Sequence, residues 1–428
     1  MTQKYNIVVA GIAIAAMLTL STTSCKRDVF DADDYNELIR VQSPVDSIES
    51  THSFKTTERR TIQVEVNGPV GTRRVQVLSA NPVVEEACYI LAEAYATDGQ
   101  RVTLPFTAPI SSSVFYAALV SDDGRYTVTR FYASQSTVDF SHPEALSVML
   151  ARTPVPQVFT YCYEDEQPEA GDYDYNDLVL RISKVRTGEK ELSLNVTVAA
   201  VGSSDKLAAA IRFVGITTDQ IDSVYTEGVK LGETFDDDYT LVGEPYIENP
   251  DQIHSSLKGE AVLRLFEDAH WATGDPNLEV VNSVIDRYHY NVARVASDID
   301  ELISPRTITF HIAFKNAQDL DVFAMDVLDL FVMKEYNGAV WEVHIGDYQS
   351  EQVLHEYSLV TTIKLLPWAL AIPSGSFRYP LQGYNIGYRK NGYLFGAYMT
   401  SGHSFGEWVE NHLQSTDWYE YPTLNMVF

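Results

Sequence analysis

The sequence predicts a mostly β protein: two β-sandwich-type domains, the C-terminal one with long insertions and few helices. Three observations lead there. Apolar and polar residues alternate with period two in many short runs, the pattern of strands that bury one face. An Asp-Gly turn joins two of these runs, a strong short-range hairpin signal. Stretches with a helical period are few. At 428 residues the chain is also long for one core, because a domain typically takes ~150 residues.

Residues 1–24 read as a segment outside the fold. Lys4 supplies a small positive start, and Ile7 to Leu20 is apolar but shorter than the ~20 residues that span a bilayer. Small residues Ser21-Thr22-Thr23-Ser24 then lead to Cys25. This arrangement resembles the lipobox of bacterial lipoproteins, with a leucine at Leu20 rather than three residues before the cysteine, as Bacteroidetes-type lipoproteins often show. The resemblance implies that Cys25 is lipidated and becomes the mature N-terminus, anchored by several acyl chains. The plainer alternative is a secretory peptide with an incidental cysteine. Residues 25–53 are acid-rich with little apolar period and read as a tether.

The N-terminal domain is expected over 54–150. Thr61 to Val66 alternates cleanly, Arg74 to Leu78 is a second strand, and Val114–Val120 and Arg125–Tyr132 flank the turn Ser121-Asp122-Asp123-Gly124. An immunoglobulin-type sandwich fits, without its Cys…Trp…Cys hallmark. Val83 to Leu91 reads equally as a strand or one short helix. Prolines 143, 154 and 156 mark a boundary to the second domain, 156–428. Its strands are Val158–Tyr163, Leu178–Val185, Leu192–Val198, Leu207–Gly215, Leu263–Phe266 and Thr307–Phe314, with Leu320 to Met333 as one buried strand or two. Residues 235–239 and 249–251 mark insertions, and Val280–Val292 and Glu407–His412 are the best helix candidates. Cys88 and Cys162 read as buried thiols, two cysteines being no disulfide framework.

Charge narrows the function. With 31 Lys+Arg against 59 Asp+Glu the net charge is −28. Such a surface disfavours nucleic acid and anionic lipid as direct ligands and favours divalent cations. The acids crowd most tightly in Gly171-Asp172-Tyr173-Asp174-Tyr175-Asn176-Asp177. Each raises the others' cost of ionising, and a hard cation that takes oxygen ligands, above all Ca²⁺, relieves that cost. Asp172, Asp174 and Asn176 have the 1, 3, 5 spacing of a calcium loop, but Asp177 and Ser183 replace the glycine and glutamate of an EF-hand and no helix flanks it. Glu164 and Asp165 are the nearest source of further ligands. The structural alternative is an Asx-rich turn whose side chains bond backbone N–H groups.

Tyr163-Glu164-Asp165 followed by Gly171 to Val179 resembles the signature of the LruC domain of bacterial surface lipoproteins. Gly259 to His270, Leu366 to Pro373, Phe377-Arg378-Tyr379-Pro380 and Asp417-Trp418-Tyr419 resemble other motifs of that family, over roughly residues 156–428. The resemblance implies a protein anchored in the outer membrane and carries over no catalytic residues. It strengthens the expectation of a structural Ca²⁺ site.

Gly402-His403-Ser404-Phe405-Gly406 matches the nucleophile elbow of hydrolases, yet His412 precedes Asp417, the reverse of the order such a triad needs. The histidines lack zinc spacing, and His311 sits in a strand, as a hydrogen-bonded core or face histidine would. The expected function is therefore a non-catalytic binding or structural role at the cell envelope. A carbohydrate-binding accessory lipoprotein is the alternative, and a hydrolase is a weaker one.

Overall fold

The computed structural model describes residues 43–67, 72–166, 171–226, 247–248, 260–275, 278, 280–281, 284–285, 289–293, 303–321, 323–336, 339–345 and 366–428. The protein is mostly β. Strands β1 (Thr57–Glu65), β2 (Thr72–Leu78), β3 (Tyr89–Thr97), β4 (Arg101–Pro109), β5 (Val114–Val120), β6 (Arg125–Tyr132), β7 (Thr137–Val138), β8 (Ala145–Met149) and β9 (Val155–Pro156) come first. They form sheets of order β4-β1-β7 and β8-β6-β5-β2-β3-β9. Ile62 and Val64 of β1 share one apolar cluster with Val75 and Val77 of β2, while Gln63 and Glu65 point away, as the alternation requires. Phe106 and Phe115 meet edge to face there, their centroids 5.1 Å apart. The hairpin of β5 and β6 closes as expected, with Val120 opposite Tyr126 and Gly124 at φ 80° in the turn.

The second set comprises β10 (Val158–Tyr163), β11 (Leu178–Arg186), β12 (Glu191–Ala200), β13 (Leu207–Thr217), β14 (Ile221–Thr226), β15 (Ile247–Glu248) and β16 (Glu260–Phe266). It continues with β17 (Val280–Val281), β18 (Val284–Ile285), β19 (Thr307–Phe314), β20 (Leu328–Tyr336), β21 (Ala339–His344) and β22 (Ala369–Ile372). A six-stranded sheet, β14-β19-β12-β11-β10-β22, and a five-stranded one, β15-β16-β13-β20-β21, share the largest apolar cluster. Leu178, Leu180 and Ile182 of β11 enter it, whereas Val179 between them faces the opposite side. There it meets Cys162 and the C-terminal segment, including Tyr398, Phe405, Trp408 and Trp418. The short helices α1 (Ala269–Ala272), α2 (Ala317–Asp321) and α3 (Phe405–Glu410) complete the picture, α3 falling close to its expected place. Both Cys88 and Cys162 are buried free thiols. Among the described residues no helix is long and apolar enough to cross a membrane.

Two expectations change. The helix expected over Val280–Val292 is instead the ladder of β17 and β18, since Val280, Val281, Val284 and Ile285 are all stiff at χ1 and favour extended backbone. Within 143–156, β8 pairs with β6 and so stays with the N-terminal sheet, as the 54–150 bounds have it, and β9 pairs in parallel with β3. The tether ends early: residues 43–54 form a strap on the C-terminal segment. Asp46 N–H donates to Arg389 O at 3.0 Å and Glu49 N–H to Val409 O at 3.1 Å. Val45 and Phe54 are buried in the cluster around Trp408, and His52 packs edge-on against that tryptophan with Nε2 2.8 Å from its carbonyl.

A chain shortened to begin at Thr56 should lose the burial of Val45 and Phe54, about 3 kcal/mol or more. The urea midpoint should drop accordingly, and an unchanged midpoint would mean that the strap contributes nothing.

Candidate metal centre

The acidic loop joins β10 to β11. Glu164, Asp165 and Glu166 follow the end of β10, and Gly171 to Asp177 lead into β11, with 167–170 outside the described residues. Tyr173 and Tyr175 adopt φ values of 58° and 52°. Each left-handed position costs a non-glycine residue roughly 1–2 kcal/mol. In this loop the amides of both tyrosines meet one acceptor: Glu164 Oε2 receives Tyr173 N–H at 3.0 Å and Oε1 receives Tyr175 N–H. The rings go inward, Tyr175 being fully buried with its hydroxyl donating to Pro367 O. A Cβ at position 171 would collide with the Glu164 carboxylate, which is why glycine stands there.

The C-terminal segment holds the loop from the other side. Ile386 N–H donates to Tyr173 O at 2.7 Å, and Asp174 Oδ2 accepts Gly383 N–H at 2.8 Å while its Oδ1 accepts Asn176 N–H at 3.2 Å. Asn176 Nδ2 donates to Pro380 O at 3.1 Å, and Asp177 Oδ2 accepts Asp165 N–H at 2.8 Å. These are the bonds of an Asx-rich turn, and they use Asp174 for backbone work. The carboxylates gather instead into two groups, Glu164–Glu166–Asp172 and Asp165–Glu166–Asp177, each offering oxygens within 4.8 Å of one another. Glu166, common to both, is absent from the sequence-based set; the unbroken acid run Glu164-Asp165-Glu166 was the available signal. The 1, 3, 5 spacing is thus not the grouping that the fold makes, because Asp174 faces Gly383 and Asn176 faces Pro380.

The electrostatics are unbalanced. Burial, reinforced by Asp177 and Asp174, holds the Glu164 carboxyl well above its usual range. Burial with Asp165 and Glu166 does the same to Asp177, and burial with Asp172 pushes Asp174 up to about 8. Glu166 is raised too, by burial and then Asp165. Lys334 reaches Asp165, its Nζ 3.4 Å from Oδ1, but it also pairs with Asp205 at 2.7 Å. Among the described residues no Lys, Arg or His forms an ion pair with Glu164, Glu166, Asp172, Asp174 or Asp177. Two oxygens, Glu166 Oε2 and Asn176 Oδ1, are buried without a hydrogen-bond partner. An all-oxygen set with excess negative charge and orphaned acceptors fits a hard cation of the Ca²⁺ kind.

The other singled-out residues have structural tasks. Ser404 is fully buried and caps α3: its Oγ accepts Glu407 N–H at 3.2 Å and donates to Glu407 Oε2 at 2.8 Å. His403 pairs with Asp417 at 2.8 Å rather than with Ser404. His311 lies 2.8 Å from Ser193 Oγ and stacks on Tyr225. Cys25 lies outside the described residues.

Fold and site together define a mostly β protein with an acidic, oxygen-donor loop clamped beneath an aromatic C-terminal segment. The chain belongs to the family described as "Domain of unknown function (DUF4842)", whose family model matches residues 190–419, more than half of the 428. The acidic loop precedes the matched residues, and most of the segment that clamps it lies within them. Among solved structures the chain is similar to a "Putative lipoprotein from Bacteroides ovatus", at 14% identity and a TM-score of 0.50, over 83% of this chain and 98% of that one. That likeness concerns the fold. No curated protein matches the chain.

The raised carboxyls set a pH dependence. Unfolded carboxyls release protons near pH ~4, whereas Asp174 holds its own to about 8, so the fold binds more protons across that window and loses stability as pH rises through it. Melting in EDTA should therefore shift to lower temperature from pH 5 to pH 8 by about several degrees. Glu166→Gln, which removes one of the crowded charges, should flatten the trend; a wild-type melting point that rises over this range would contradict it.

Proposed function

We propose that the chain is a non-catalytic, lipid-anchored cell-envelope protein of two β domains, held at the outer membrane through Cys25 and stabilised by Ca²⁺ in its acidic loop. The observation that carries the reading is the meeting of Glu164, Asp165, Glu166, Asp172 and Asp177 in two oxygen-donor groups with Lys334 as their cationic partner among the described residues. Glu164 and Asp177 hold the ends of the loop, Glu166 bridges the groups, and Asp174 and Asn176 fix the C-terminal segment over them. A bound Ca²⁺ supplies two positive charges, which cancel the repulsion that burial otherwise turns into retained protons.

The motifs resembling LruC-type surface lipoproteins support this assignment, as does the lipobox-like stretch ending at Cys25. The fold likeness to a protein described as a lipoprotein is consistent with it. Extracellular sites of this kind bind weakly, with Kd of roughly 10⁻⁴ to 10⁻³ M. The role is binding or structural rather than catalytic, and Ser404, the serine of the nucleophile-elbow match, caps a helix.

Added Ca²⁺ in the millimolar range should raise the melting temperature of the EDTA-treated protein at pH 8, and Glu166→Gln or Asp177→Asn should abolish most of the gain. Equal melting curves with and without Ca²⁺ would rule out the site. Cys25→Ala should move the expressed protein from the membrane fraction to the soluble one; retention in the membrane fraction would rule out the anchor.

A further inference from the structure

A cleft of about 640 Å³ opens where the chain passes from the first pair of sheets to the second, within the ~300–1,000 Å³ typical of small-molecule sites. One wall is the six-stranded sheet of the N-terminal part, presenting Tyr89 and Leu91 of β3 and Phe115 of β5. The opposite wall is the turn after β22 and the last part of the chain, presenting Ser374, Arg378, Tyr419 and Glu420. Gln157, the residue between β9 and β10, lies on the junction. Both walls are built. Thr160 Oγ1 donates to Ser374 O at 2.7 Å, and Gln157 N–H donates to Ile90 O at 3.4 Å.

The residues lining this cleft include polar groups whose bonding is incomplete. Gln157 is 7% exposed, yet its Oε1 is buried with no hydrogen-bond partner. The Tyr419 hydroxyl, beside Ser111 and on a side chain 5% exposed, also lacks a well-formed hydrogen bond. Arg378 is exposed and enters no ion pair among the described residues, although most of the arginines described do. Buried polar groups are nearly always paired, so the unmade bond on Gln157, a residue that lines the cleft, leaves an acceptor for a ligand seated there. Tyr89, 41% exposed, supplies an aromatic face at the rim.

We propose that this cleft binds a short oligosaccharide. A sugar ring combines hydroxyls, which suit an amide, a phenol, a guanidinium and a carboxylate placed together, with an apolar C–H face that stacks on a tyrosine. Other ligand classes fit less well. A phosphate-bearing ligand would find one arginine accompanied by Glu420. An added peptide strand would find no free edge at Tyr89 and Ile90, because β2 and β9 already pair there. In this assignment Tyr89 is the stacking platform, Gln157 and Tyr419 read hydroxyls deep in the cleft, and Arg378 closes over the ring from the solvent side. The proposal is independent of the cation site.

The test uses the full mature chain on an array of neutral and acidic oligosaccharides, followed by calorimetric titration of the best glycan. Binding is expected, with Tyr89→Ala and Arg378→Ala each weakening it by about tenfold or more. Both positions are exposed, so their melting curves should match the parent, and Tyr393→Ala, an exposed aromatic outside the cleft, should bind as the parent does. Gln157→Ala should weaken binding as well. No glycan binding up to millimolar concentration would overturn the assignment, as would wild-type affinity in both Tyr89→Ala and Arg378→Ala. Saturable binding of inorganic phosphate, lost in Arg378→Ala and unaccompanied by glycan binding, would replace it with an anion site.

Discussion

Two amides on one buried carboxylate hold the centre of this protein together. Glu164, at the end of β10, accepts Tyr173 N–H and Tyr175 N–H, and both of those residues lie in the left-handed region. The cost of that backbone is offset by the rings it sends inward, Tyr175 fully buried among Trp408, Trp418 and Leu370. From the same loop, Asp174 and Asn176 reach the segment around residues 380–383. One strand end, one loop and the C-terminal segment are thus locked by a single carboxylate and its neighbours.

A second buried charged group shows what is missing from the loop. Asp329 on β20 accepts from Arg212 Nε at 2.9 Å and meets His344 Nδ1 at 2.8 Å, and Glu342 lies 3.1 Å from His344 Nε2. Burial lowers the His344 pKa, but Asp329 and Glu342 outweigh it and hold the imidazole at about 9. Here the five-stranded sheet supplies its own cations, Arg212 and His344, beside the acids. Around Glu164 and Asp177 the same density of carboxylates meets no comparable supply, and the balance passes to protons or to a divalent ion.

Much of this was legible in the residues themselves. Thr61–Val66, the Asp-Gly hairpin and Val158–Tyr163 were readable because one buried face leaves a period-two trace. The acidic stretch and the aromatic closing motifs were each visible too, but not their contact: Asp174 and Gly383 are 209 residues apart in sequence, and proximity across the fold leaves no local pattern. Val280–Val292 misled because a helical period alone ignores the stiffness of β-branched side chains. The strap at 43–54 looked like a tether because its few apolar residues, Val45, Ile48 and Phe54, pack on the distant C-terminal segment, where His52 meets the Trp408 carbonyl 356 positions away. The cleft around Gln157 was invisible for the same reason, its walls coming from five separate stretches of chain.

The docked strap also decides how force would travel through the molecule. With a lipid at Cys25, residues 25–42 would lie between the anchor and the strap, a chain length of at most ~60 Å. Any pull along it would arrive first at Ser43–Phe54 and so at Arg389, Val409 and Trp408, the very segment that clamps the acidic loop. The N-terminal sheets would carry none of that load. They would be braced from the side, through Arg59 and Thr107 on Asp326, while the C-terminal half serves as the bracket.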